Sequence, residues 1–132
     1  VINGKQVIFN LSKNPAGFNQ AISTVAGDKR KKNIVVVIND NAGDGKDVSW
    51  IWDVDFERFN NVNANKFFLS GIRRDDMAVR FKYADFNDFY VSESIKDSIL
   101  NGLNEDSEVL YVLVNYTALF TTHDILKSLE AE

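Results

Sequence analysis

The sequence predicts a single three-layer α/β domain whose sheet is mostly parallel and holds about five or six strands. Two observations carry this. Five short apolar runs alternate with segments of helical character, and the central runs are continuously apolar rather than alternating. Strands of that kind are buried on both faces, which requires helices above and below the sheet. The 132 residues, 45% hydrophobic and 26% charged, fit one soluble domain with a substantial core.

The strand segments are "QVIFNL", "NIVVVIN", "KFFLSG", "DFYVS" and "EVLYVLVN", rich in β-branched and aromatic residues. The first helix, "PAGFNQAISTVAG", opens on proline with Asn14 as its cap and ends at Gly27. "SWIWDVDFERF" reads as a shorter amphipathic helix that carries Asp53 and Asp55 and needs its indoles covered. "RRDDMAVRFKYA" sets Met77, Phe81 and Ala84 at helical spacing, with Asp76 four residues before Arg80 as an ion pair. "SESIKDSILNGL" has a serine cap and an apolar stripe of Ile95, Ile99 and Leu103. "THDILKSLEAE" forms the last helix. There is no internal repeat or convincing linker.

Composition narrows the function. A formal charge of -4 gives no basis for nucleic-acid binding. The one basic cluster, "DKRKK" from Asp28 to Lys32, suits a solvated helix end. Zero cysteines exclude disulfides, cysteine-ligated zinc and a thiol nucleophile within the chain, and agree with a cytosolic setting. No apolar run approaches the roughly 20 residues that span a bilayer. The chain opens on Val1, which reads as a domain from a longer protein.

In parallel α/β sheets, ligands collect where strand carboxyl ends lead into helices. Four connections therefore matter: "LSKNPAG", "NDNAGDGKD", "SGIRRDD" and "NYTALFTT". The second is acidic and long for a strand-to-helix connection. Its "DNAGDGKD" has the alternating acids of a calcium loop, yet the twelfth position, where a bidentate glutamate belongs, is Ile51. A receiver-like phosphate pocket lacks its acceptor aspartate, and a plain solvated turn stays open because Asp, Asn and Gly favour turns on their own account. "LSKNPAG" is no P-loop, but Lys13 and Asn14 at a helix N-terminus suit an anion. Arg73 and Arg74 suit either surface ion pairing or a carboxylate clamp. His123, at the start of the last helix, has no nucleophile at triad spacing and reads as partly packed.

Taken in order, "NPAGFNQAI", "DNAGDGKDVSWIWDVDFE", "SGIRRDDMAVRFKYA" and "NYTALF" closely resemble the C-terminal domain of the MurT family. That family supplies the ligase subunit of lipid II isoglutaminyl synthases, within the wider Mur ligase family. The resemblance runs from about Gln6 to Leu129 and implies a Rossmann-like domain of the Mur ligase C-terminal type. It implies a cytoplasmic complex, acting at the inner membrane face, that amidates the D-glutamate α-carboxyl of lipid II during peptidoglycan synthesis. The longer subunit would use ATP and Mg, and its ribbon would hold Zn. None of those motifs lies in these residues, so the fragment alone is expected to bind no cofactor or metal and to be inactive. Its partners would be the N-terminal and central domains of the same ligase chain, the lipid II substrate and a glutamine amidotransferase subunit of the GatD type.

The resemblance also implies roles. The family's "DGxD" loop places at Asp44 a carboxylate lent to the amidotransferase's Cys–His pair, with Asp47 and Asp40 as fallback positions. Gly43 departs from the family pattern, which more often has alanine there. Lys13 and Asn14 would touch nucleotide or acyl phosphate, although Leu11 stands where related ligases have an aspartate. Arg73, Arg74 and Thr117 would face the acceptor substrate. Two alternatives remain: an ordinary Mur or folylpolyglutamate-type ligase domain, and a non-catalytic α/β interaction module.

Overall fold

The computed structural model describes residues 2, 4–12, 14–39, 49–61, 64–86, 88–104 and 107–131. Five strands form one all-parallel sheet in the order β1-β5-β2-β3-β4: β1 Gln6–Leu11, β2 Lys32–Val37, β3 Ala64–Ser70, β4 Phe89–Val91 and β5 Val109–Val114. The two strands read as "NIVVVIN" and "EVLYVLVN" are the buried centre. In β2 and β5 every residue is buried, and Val36 lies between Leu69 and Leu113 in register. The outer strands β1 and β4 are only partly covered. This is the predicted three-layer, Rossmann-like α/β arrangement.

The helices are α1 Pro15–Gly27, α2 Arg74–Tyr83, α3 Ile95–Asn104 and α4 Tyr116–Ala131. On one face, α1 packs Phe18, Ala21, Ile22 and Val25 against Ile34, Val36 and Tyr111, joined by Met77 and Phe81 of α2. The other face is covered by Ile99 and Leu103 of α3 and by Ala118, Leu126 and Leu129 of α4. Connections that cross a parallel sheet in opposite directions lay their helices on opposite faces. The chain crosses one way from β1 through β4 and returns to insert β5 between β1 and β2. Helices leaving β2 and β5 therefore diverge, and a crevice opens at their carboxyl ends.

Local signals hold at two helix starts. The Asn14 side chain accepts from the Gly17 N–H at 2.9 Å, with Pro15 at the first helical position. The Ser94 hydroxyl accepts from the Asp97 N–H at 3.1 Å at the start of α3.

Four local expectations need correction. "SWIWDVDFERF" forms two short 3₁₀ helices, Ser49–Asp53 and Phe56–Asn61, rather than one helix. The break between them is held from outside: the Asp55 N–H donates to Asn19 Oδ1 at 2.8 Å. Trp52 is not covered but 47% exposed, edge-on to Tyr83 at 5.2 Å. The expected Asp76–Arg80 pair does not form, because Arg80 turns inward to Glu57 while Asp76 meets Arg73 at 3.4 Å. Finally, α4 begins at Tyr116, directly after Asn115, so most of "NYTALFTT" is helix and His123 lies within it. Ala118, Thr122, Leu126 and Leu129 are buried along one side of that helix, spacing that carries the helical pattern back past Thr121. His123 is exposed, its ring stacked on Phe9 at 6.0 Å.

The basic cluster is also not a uniformly solvated helix end. Asp28 is the C-cap of α1 and pairs with Arg30 at 2.8 Å. Lys32 already belongs to β2 and is buried.

Candidate functional site

The carboxyl ends of β1, β2, β3 and β5 bring the predicted connections to one rim. At its centre, Asn39 and Asn115 bridge the crevice between β2 and β5. The Asn39 N–H donates to Asn115 Oδ1 at 3.1 Å, and Asn115 Nδ2 donates to the Asn39 carbonyl at 2.7 Å. Both are nearly inaccessible, at 7% and 2% exposure. Asn39 Oδ1 accepts from the Ile72 N–H at 2.8 Å, which draws the β3–α2 turn onto the same bridge. Buried amides of this kind persist only when their polar atoms are satisfied. Neither asparagine was singled out from the sequence, because each stands at a strand end where Asn suits any turn.

The β3–α2 turn is built for close approach. Gly71 has φ +97°, and a Cβ there would lie 2.4 Å from the Ile38 carbonyl oxygen. Only glycine adopts that conformation at little cost. The Arg73 N–H donates to the Ile38 carbonyl at 2.9 Å, so the turn rests against the end of β2. Arg73 and Arg74 thus reach the rim, both half-buried. Arg73 meets Asp76, and Arg74 Nη1 donates to the Gly71 carbonyl at 3.1 Å.

On the β1 side, Asn14 uses its side-chain oxygen as the helix cap. Ser12, two residues before it, is buried, and its hydroxyl has no hydrogen-bond partner among the described residues. The first turn of α1 carries no acidic residue. A helix N-terminus with those neighbours favours an anion.

Lys13 and the acidic segment with Asp40, Asp44 and Asp47 lie outside the described residues, as does the Thr117 side chain; position 117 itself falls in the first turn of α4. The structure therefore places Asn14, Arg73, Arg74 and the backbone of position 117 at the carboxyl ends of β1, β3 and β5, along one end of the sheet. The acidic segment leaves β2 at Asn39 and re-enters at the first 3₁₀ helix. Among the described residues, no helix is long and apolar enough to cross a membrane.

The family model described as MurT ligase C-terminal matches residues 11–119, a span that takes in all four rim connections. The chain is 38% identical over 81 residues to the MurT subunit of lipid II isoglutaminyl synthase (glutamine-hydrolyzing) from Staphylococcus aureus strain COL, covering 61% of this chain and 18% of that protein. It is 30% identical over 129 residues to the corresponding subunit from Streptococcus pneumoniae strain R6, covering 96% of this chain and 29% of that protein. The chain thus spans less than a third of the length of either relative. By the extent of that match and the fold that accompanies it, the chain belongs to the MurT ligase C-terminal family.

Proposed function

We propose that this chain is the C-terminal domain of the ligase subunit of a glutamine-hydrolysing lipid II isoglutaminyl synthase, and that it lends Asp44 to the active site of an amidotransferase subunit. The observation that carries the reading is the family match over residues 11–119, which includes the acidic segment together with its described anchors. In the complex, the amidotransferase's cysteine would attack the glutamine amide after an imidazole takes the thiol proton. That imidazole needs a carboxylate on its second nitrogen to fix the tautomer and stabilise the imidazolium. The chain has no cysteine, and its one histidine, His123 of α4, stacks on Phe9 of β1. As the family resemblance implies, this chain would instead donate a carboxylate to another chain's pair, from Asp44 first, with Asp47 and Asp40 as the fallback donors. Sharing the triad across an interface restricts glutamine hydrolysis to assembled enzyme.

The other half of the reaction is the ligation. ATP, bound with Mg by the whole subunit, would activate the D-glutamate α-carboxyl by phosphorylation. Toward it this domain offers the N-terminus of α1, with Lys13, Asn14 and the buried Ser12 hydroxyl, as an anion contact. Arg73, Arg74 and Thr117 would hold carboxylates of the acceptor, arginine being suited to bidentate contact. A cysteine-ligated zinc ribbon does not fit these residues, which include no cysteine, and would lie in other domains of the subunit. The complex would act in the cytoplasm, at the inner membrane face where a lipid-linked substrate lies.

The test uses the complete ligase subunit with its amidotransferase. Asp44→Asn should abolish glutamine hydrolysis and glutamine-dependent amidation, while added ammonia partly restores product. Full glutamine-dependent activity in that variant would rule the role out. An ordinary ligase domain of the same fold would bind no amidotransferase in a pull-down.

A further inference from the structure

We propose that Asn39 and Asn115 are positioning residues for the arginines that take the acceptor's carboxylates. The pair locks the β3–α2 turn, which carries Arg73 and Arg74, to the ends of β2 and β5. This rests on the reading of Arg73 and Arg74 as acceptor contacts given above.

The ladder between β2 and β5 ends at Val37 and Val114. Past it, the Asn115 N–H reaches the Val37 carbonyl at 3.4 Å, and the Asn115 amide adds one more rung. That amide binds both the N–H and the carbonyl of Asn39, as the peptide group of a strand would. On the other side of β5, the Ser12 N–H donates to the Val114 carbonyl at 2.9 Å, so the end of β1 is tied to the same place.

The rung leaves the Asn39 side-chain oxygen turned toward β3, where it accepts from the Ile72 N–H. The Ile38 carbonyl takes the Arg73 N–H, and the Ile38 N–H donates to the Ser70 carbonyl at 3.2 Å. Gly71, pressed against the Ile38 carbonyl, admits no side chain. The turn is thus held by residues 38 and 39 at three hydrogen bonds. Arg74 Nη1 then folds back onto the Gly71 carbonyl, which ties its guanidinium to the same turn.

An apolar pair would close the crevice between β2 and β5 without having to match buried polar atoms. It would not offer an acceptor to Ile72, and the turn would rest on the Ile38 contacts alone. Arginine binds a carboxylate through two parallel N–H···O bonds, so a turn displaced by about an ångström loses one of them. Asn39 and Asn115 are themselves buried and would not touch the acceptor.

The experiment uses the complete ligase subunit in complex with its amidotransferase, supplied with ammonia so that glutamine hydrolysis does not enter the rate. Asn39→Ala removes the acceptor for Ile72, and Asn115→Asp sets an oxygen against the Asn39 carbonyl. Each should raise the KM for the lipid-linked acceptor on the order of tenfold, with the KM for ATP within about twofold. Arg73→Ala combined with Arg74→Ala should raise the acceptor KM as well. Adding Asn39→Ala to that pair should change it by less than about twofold, because the asparagine acts through the arginines. Amide hydrogen exchange of peptides covering 70–76 should rise on the order of tenfold, with β2 and β5 unchanged. Either asparagine variant judges the pair if the other fails to fold. An unaltered acceptor KM, effects that multiply with the arginine changes, or exchange that rises equally through β2 and β5 would overturn the proposal, as would loss of the fold in both variants. If the arginine changes themselves leave the acceptor KM unaltered, the reading of the arginines fails and the positioning role falls with it. Exchange over 70–76 then still reports whether the pair holds the turn.

Discussion

The phenol of Tyr111, at the centre of the sheet, donates a 2.7 Å hydrogen bond to the carboxylate of Asp28, the residue that ends α1. The same carboxylate accepts from Arg30 Nε at 3.0 Å and Nη2 at 2.8 Å, and Arg30 Nη1 continues to Gln6 Oε1 on β1 at 2.7 Å. One acid thus joins β1, α1 and β5 at the end of the sheet opposite the rim. The Arg30 guanidinium, aided by Tyr111 and against the effect of burial, holds the Asp28 carboxyl well below its ordinary range. Burial first, and then Asp28, pushes the Tyr111 phenol up to about 12.

Both shifts favour the folded state, in opposite pH windows. The folded phenol titrates above its unfolded value of 10.0, so its contribution is complete below that pH and is lost as pH rises toward about 12. The folded carboxyl titrates below its unfolded value of 3.8, so its contribution is present above that pH and is lost on further acidification. Tyr111→Phe is expected to cost about 1.5–3 kcal/mol at neutral pH, the worth of a hydrogen bond to a charged group. It should also flatten the alkaline limb while keeping the acid limb, since Arg30 still pairs with Asp28. Urea denaturation of the chain between about pH 3 and about pH 11 would check this, and an unchanged alkaline limb would contradict it.

Gly71→Ala should be among the most damaging small substitutions. The new methyl would have to sit 2.4 Å from the Ile38 carbonyl oxygen and 2.9 Å from Asn39 Oδ1, on a backbone with φ +97°. The obstacle is backbone rather than a pliant side-chain tip, so strain and clash add. A loss of about 3 kcal/mol is expected, read from the denaturation midpoint. Because the displaced atoms include Asn39, ordered amide signals of Asn39 and Asn115 should shift as well.

Much of this fold was legible because its signals are local. Continuous apolar runs gave β2 and β5, and Asn14–Pro15 gave the start of α1. What was not legible depends on residues far apart in the chain. The break at Asp55 is stabilised by Asn19, and the carbonyls of Ile51 and Val54 by Arg80, so a periodic apolar pattern there was read as one helix. Arg80 had a local partner available four residues earlier, and the helix rule chose it; the buried carbonyls offered more donors a use. The rim was predicted by topology alone. Its centre was missed, since Asn39 and Asn115 are 76 residues apart in sequence.

Lys32 gives the last prediction, because the basic cluster hid it. It sits in the central strand, in register with Val109 and Ala64, with its side chain buried and its Nζ without a hydrogen-bond partner among the described residues. Burial lowers its pKa, with Asp28 opposing and Arg30 reinforcing the shift. A cation whose folded pKa falls below the unfolded 10.5 is a penalty on folding, complete below the folded pKa and relieved as pH climbs toward 10.5. Lys32→Met keeps the length and apolar bulk and removes the buried amine. It should stabilise the chain by about 1–2 kcal/mol at neutral pH and abolish the gain in stability as pH rises toward 10.5. Chemical denaturation of the two forms from neutral pH up to about 10.5 is the check. A less stable methionine variant would mean that the ammonium contributes more through its charge than its burial costs.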